Sequence, residues 1–130
     1  MKKFVTTDMI RYQLANLRQL TFEVTDACNL NCKYCAYGEF YNDYDERENK
    51  MMSVSAAIKI IDYLVEFWNS EQNMSAKRNV YISFYGGEPL MNMPFIESVV
   101  EYVESLHCKY RNFTFSMTTN AVLLERYMDF

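Results

Sequence analysis

This chain of 130 residues has no basic stripe, no long apolar run and a single histidine, and each shortage removes a class of function. Lys and Arg number 13 against 17 Asp and Glu, a formal charge of -4. Without a cluster of cations to contact phosphates, nucleic acid is not an expected partner. No apolar stretch approaches the roughly 20 residues that a membrane-spanning helix requires, so no membrane partner is expected either. The N-terminal MKKFVTTDMIRYQLANL carries two lysines but neither a continuous apolar segment nor a small-residue cleavage site, so it does not read as a secretory signal. Repeats and low-complexity tracts do not stand out. These exclusions point to the cytoplasm, where thiols stay reduced. With 50% of its residues apolar, the chain is long enough for one domain with a real core and too short for two.

What the sequence does have is cysteine in one place. Cys28, Cys32 and Cys35 form a C-x3-C-x2-C spacing directly after an apolar, strand-like run, while Cys108 stands alone. In a reducing compartment such clustering means metal or catalysis more often than disulfides. Three thiolates from one loop can hold three irons of a four-iron cluster and leave the remaining iron open to a ligand from outside the protein. The alternative is zinc, for which only His107 and Cys108 could supply a second ligand pair. Cys108 otherwise reads as a small, half-buried apolar residue, and His107 as a side chain near the negative end of a helix.

The rest of the chain alternates strand and helix patterns. Asp8 to Leu17, with Ile10, Leu14 and Leu17 in helical spacing and Asp8 as a candidate N-cap, suits a short helix or an N-terminal arm. Leu20 to Thr25 alternates apolar and polar residues as a first strand. From Glu39 to Lys50 the run EFYNDYDERENK sets Glu39, Asp43, Asp45, Glu46 and Glu48 against Arg47 and Lys50, which reads as a solvated loop. Ser53 or Ser55 can cap a helix with Ile58, Ile61, Val65 and Trp68 on its apolar face. Val80 to Tyr85 forms a second strand, ending in Gly86-Gly87-Glu88-Pro89. A second helix starts near Asn92 with Pro94 in its first turn, facing inward through Ile96, Val99 or Val100, Val103 and Leu106. Phe113 to Met117 is a third strand, followed by Thr118-Thr119-Asn120, and Ala121 to Phe130 opens another helical pattern. This order implies an α/β fold with parallel strands and right-handed crossovers. The loops that follow strands then share one rim, the one where such sheets place their ligands.

The cysteine spacing, Tyr34 just before the last cysteine and the later GGEP turn together resemble the radical S-adenosylmethionine (SAM) enzymes. The resemblance implies that Cys28, Cys32 and Cys35 ligate a [4Fe-4S] cluster whose open iron is chelated by SAM. One electron, from a donor such as flavodoxin or ferredoxin, would cleave SAM to methionine and a 5′-deoxyadenosyl radical that abstracts hydrogen from a substrate. It further implies cofactor-binding roles for Tyr34, Gly86, Gly87, Glu88, Pro89, Thr119 and Asn120. Glycines without Cβ atoms let backbone carbonyls approach a ligand, in that family the methionine ammonium, and Pro89 favours an extended Glu88. Tyr34 resembles the aromatic residue against the adenine, although packing of a long loop rich in Tyr37, Phe40 and Tyr41 would explain an aromatic there equally well. Thr119-Asn120 resembles a Gln-Thr-Asn-Gly pattern, with Thr118 and Ala121 in the outer positions.

The family core is a (β/α)6 partial TIM-like barrel, and the three strand-helix units seen here correspond to its N-terminal half. Residues 1–130 are therefore expected to be a C-terminally truncated radical SAM core domain. The CNLNCKYC and GGEPL wording leans to the branch that modifies peptides and proteins, such as the sulfatase-maturating enzymes, a lean that molybdopterin-precursor synthases partly share. The competing reading is a non-catalytic module holding zinc or an inert cluster. A half barrel exposes a strand edge and apolar surface. Light scattering is therefore expected to show self-association, and a monomer at high concentration would contradict that expectation.

Overall fold

A computed structural model describes residues 4–36, 47–74, 78–108 and 111–130. Tyr37, Phe40 and Tyr41, and the acidic Glu39, Asp43, Asp45 and Glu46, lie outside the described residues. The elements in order are α1 (Thr7–Ala15), β1 (Gln19–Thr25), α2 (Val54–Trp68), β2 (Arg78–Gly86), a 3-10 turn (Pro89–Asn92), α3 (Met93–Ser105), β3 (Arg111–Met117) and a second 3-10 turn (Leu124–Tyr127). The strands form one parallel sheet in the order β1-β2-β3, as the alternation of strand and helix requires.

The strand patterns translate directly into two unlike sheet faces. Phe22 stands beside Phe84 and Ile82 beside Phe115, so one face is continuously apolar. Against it lie α2 and α3, whose buried side chains join Phe22, Val24, Val80, Ile82 and Phe84 in a single core. Trp68, Phe84, Phe95 and Ile61 are among its largest fully buried members. Each such side chain contributes about 1.5–3 kcal/mol relative to exposure, so tertiary burial, more than helix propensity, holds α2 and α3 in place. The other face is polar. Thr21, Ser83 and Ser116 line up across the three strands, and the Ser83 and Ser116 hydroxyls are 2.8 Å apart.

Local signals were met with three differences. Thr6, not Asp8, caps α1, its Oγ1 accepting from the Met9 amide; Asp8 falls in the first turn, where its charge favours the helix dipole. Ser53 caps α2 as expected, but the buried face is Ala57, Ile61, Leu64 and Trp68, with Ile58 and Val65 only half-buried. The small Ala57 lets the helix close on the sheet. The second long helix, α3, starts just after Asn92 with Pro94 in its first turn as expected, and the Asn92 side chain donates to Val24 O at 2.8 Å, joining the start of α3 to the end of β1. The expected terminal helix is a 3-10 turn. There Ala121 has φ 64°, Thr119 Oγ1 accepts from the Ala121 amide, and Asn120 Oδ1 accepts from the Val122 amide. These side chains take the donors of a nascent helix.

Two glycines bring the strand ends together. Gly86 has φ +136°, and a Cβ there would lie 2.2 Å from Thr25 O; a Cβ at Gly87 would lie 2.2 Å from Ala27 O and 2.5 Å from Asp26 O. The nearest neighbours are backbone, which cannot swing aside. Gly87→Ala should therefore cost about 1–3 kcal/mol through forced backbone shifts, read as a lower urea midpoint; an unchanged midpoint would show that the two loops are free to separate.

Candidate metal centre

The three loops that leave the strands meet on one rim, held by hydrogen bonds between backbone groups. The Gly87 amide donates to Thr25 O and the Glu88 amide to Ala27 O, each at 2.8 Å, so the turn after β2 continues the pairing into the start of the cysteine loop. Thr25 steadies the same place from the other side, its hydroxyl donating to Lys50 O at 2.7 Å and accepting from the Ala27 amide at 3.0 Å. The family resemblance implies ligand approach at Gly86 and Gly87. The first reason for glycine is the close approach of this chain's own backbone, and Gly87 also borders the cleft described below.

Glu88 ties in the third loop. It is fully buried and extended before Pro89, with φ -135° and ψ 105°. Its Oε1 accepts from the Leu90 amide at 3.0 Å and from Thr119 Oγ1 at 2.7 Å, and its Oε2 accepts from the Asn120 amide at 2.8 Å. Asn120 in turn donates through Nδ2 to Asn29 Oδ1 at 2.8 Å and stands 3.8 Å from Cys28 Sγ. One buried carboxylate thus connects the turn after β2 to the loop after β3, and through Asn120 to the first cysteine.

Cys28, Cys32 and Cys35 are half-buried free thiols around one open cleft of about 280 Å³. Tyr34, Tyr85, Gly87, Asn120 and Arg47 line it with them. Donors already point at the sulfurs. The Leu30 amide lies 3.5 Å from Cys28 Sγ, and Arg47 Nη2 lies 3.4 Å from Cys35 Sγ. Tyr34 is 86% exposed, an aromatic face available to a ligand. Its phenol is held above its usual pKa, first by a hydrogen bond with Cys32 and then by the charge of that thiol. Gly86, Pro89 and Thr119 stand behind the lining, not in it, with Pro89 buried.

Arg47 is the residue that sequence reasoning missed. It was assigned to a solvated acidic run, yet its side chain turns into the cleft, where Nη1 also donates to Leu30 O at 3.3 Å. The other residues of that run within the described part face outward, and Glu48 pairs with Lys50 at 2.5 Å.

The donor set suits a cluster better than zinc. Among the described residues no group of three His, Cys, Asp or Glu side chains converges closely enough to hold one metal ion. Zinc requires such convergence, whereas a four-iron cluster takes each thiolate on a separate iron around a shared volume. The proposed second zinc pair is also in the wrong place. His107 and Cys108 precede β3, whose first residue pairs with the start of β2, so they lie at the opposite end of the sheet from the cysteine loop. There Cys108 Sγ lies 3.6 Å from Asn69 Oδ1 and packs on the core, and His107 Nδ1 lies 3.1 Å from Ser105 O.

Known proteins are similar to this chain in sequence. The chain is 30% identical over 120 residues to the radical SAM cyclopropyl synthase TigE of Paramaledivibacter caminithermalis, covering 83% of this chain and 23% of that one. It is 33% identical over 111 residues to a probable GTP 3′,8-cyclase of Methanococcus maripaludis, covering 85% and 31%. A S-adenosylmethionine-dependent nucleotide dehydratase of Pseudoalteromonas ulvae is 32% identical over 113 residues, covering 84% and 34%. The chain spans about a third or less of the length of these relatives. Residues 22–130, from the middle of β1 through all three rim loops, match the Radical SAM superfamily, and the chain belongs to that family.

Proposed function

We propose that this chain carries the cluster-binding and part of the SAM-binding machinery of a radical SAM enzyme, with Cys28, Cys32 and Cys35 as the ligands of a [4Fe-4S] cluster. The observation that supports this best is the cleft itself, where three thiols from one loop meet the glycine turn of β2 and the Asn120 side chain of the β3 loop. When bound, the cluster and SAM supply a one-electron reductive cleavage that yields methionine and a 5′-deoxyadenosyl radical able to abstract hydrogen from a substrate.

The chain's own residues bind and orient. Gly87 presents backbone at the cleft wall with no side chain in the way, as an amino-acid ligand requires. Tyr34 offers its ring to the adenine, and Asn120 offers an amide at the cleft edge. Gly86, Glu88, Pro89 and Thr119 shape the pocket from behind, Glu88 and Pro89 being buried and Thr119 engaged with the Glu88 carboxylate. An external reductant such as flavodoxin or ferredoxin supplies the electron.

For the substrate, the CNLNCKYC and GGEPL wording supports a peptide or protein. A second reading, a nucleotide, is favoured by two relatives whose names specify a GTP cyclase and a nucleotide dehydratase.

Reconstitution without oxygen should give a brown protein with about three or four irons per chain, and the electron paramagnetic resonance (EPR) spectrum of the reduced cluster should change on adding SAM. Cys32→Ala should lose the cluster, while Cys108→Ala should keep it. Stoichiometric zinc with no iron uptake would instead establish the non-catalytic module.

A further inference from the structure

Among the described residues that line the cysteine cleft, Arg47 carries the only formal charge, apart from whatever charge the thiols themselves bear. Its guanidinium spans two parts of the cysteine loop, donating from Nη1 to Leu30 O at 3.3 Å and from Nη2 to Cys35 Sγ at 3.4 Å. The first contact fixes the stretch between Cys28 and Cys32; the second reaches the last cysteine. A planar fork with two donors on one rigid group can make both contacts at once, which a lysine ammonium on a flexible stem cannot reproduce. The arginine is itself anchored locally, because the adjacent Glu48 amide donates to Asp26 Oδ2 at 2.7 Å, just before the loop begins.

We infer that Arg47 is a positioning residue of the cluster site, clamping the cysteine loop at Leu30 and Cys35 and raising the reduction potential of the cluster held there. This rests on the cluster reading above. Three thiolates gather negative charge at a half-buried site where no other cation stands among the described lining residues. Reduction adds one more negative charge. A guanidinium beside one ligand sulfur stabilises the reduced state over the oxidised one, and hydrogen bonds to ligand sulfurs and net charge are the levers that set cluster potentials. Other N–H groups near the sulfurs, the Leu30 amide and Asn120 Nδ2, are neutral and act at Cys28. Arg47 therefore differs from them in both charge and location.

The test compares the wild-type chain with Arg47→Lys and Arg47→Gln after anaerobic reconstitution, measuring iron content, the midpoint potential by EPR-monitored titration, and SAM affinity from the spectral change. Arg47→Gln should bind iron but reduce at a clearly more negative potential, and Arg47→Lys should fall between the two. Circular dichroism should remain that of the wild type, since Arg47 lies outside the core. An unchanged potential in Arg47→Gln would overturn the inference. So would a loss of SAM affinity with the potential intact, which would assign the guanidinium to the carboxylate of SAM. If the wild-type chain takes up no iron, the cluster reading itself fails and this role falls with it, a result distinct from a loaded wild type and an unshifted variant.

Discussion

The Glu88 carboxylate is the contact on which the rim depends. A buried acid group must have partners, since an uncompensated one costs several kcal/mol, and here one comes from its own turn, Leu90, and two from the loop after β3, Thr119 and Asn120, so that two otherwise separate loops are joined. Hydrogen bonds to a charged group contribute about 1.5–3 kcal/mol each. The Gly86-Gly87 turn brings Glu88 to the end of β1, and Pro89 keeps it extended. A carboxylate that does not line the cleft thus holds Asn120, which stands beside Cys28.

The sheet gives this rim its setting. Parallel sheets are usually apolar on both faces, yet here one face carries Thr21, Glu23, Tyr81, Ser83, Tyr85, Thr114 and Ser116 in register. Tyr81 and Tyr85 are 40% and 50% exposed on it. Gln19, Thr21, Ser83, Tyr85, Ser116 and Thr118 border a polar cleft that shares Tyr85 with the cysteine cleft. A parallel sheet covered by helices on its apolar face is consistent with the N-terminal part of a radical SAM partial barrel.

Much of this was legible because its signals are local. Strand alternation, the Ser53 cap, the C-x3-C-x2-C loop and the Gly-Gly-Glu-Pro turn each lie within a few residues, and the strand-helix order puts the loops on one rim without further information. What was not legible depends on contacts distant in sequence or on competing local bonds. Glu88 reads as one letter of a turn, because its partners Thr119 and Asn120 lie 31 and 32 residues away. Arg47 sits in an acidic run, and averaging charge over that run hides a side chain that turns inward. The α2 stripe is legible at Ile61 and Trp68 but not at Ala57 and Leu64, which the spacing alone does not separate from their neighbours Ile58 and Val65 and which only packing on the sheet selects. The final turn looked helical until Thr119 and Asn120 took its amides.

The dependence of the site on Glu88 can be measured by amide hydrogen exchange on the wild-type chain and on Glu88→Gln. The glutamine keeps an acceptor for Leu90 and Thr119 but turns a donor toward the Asn120 amide, which it cannot accept. Exchange should accelerate at Asn120 and in the loop from Ala27 to Cys35, while the amides of β1, β2 and β3 stay protected. Unchanged exchange in both loops would contradict the account, because the rim would then be held together without the buried carboxylate.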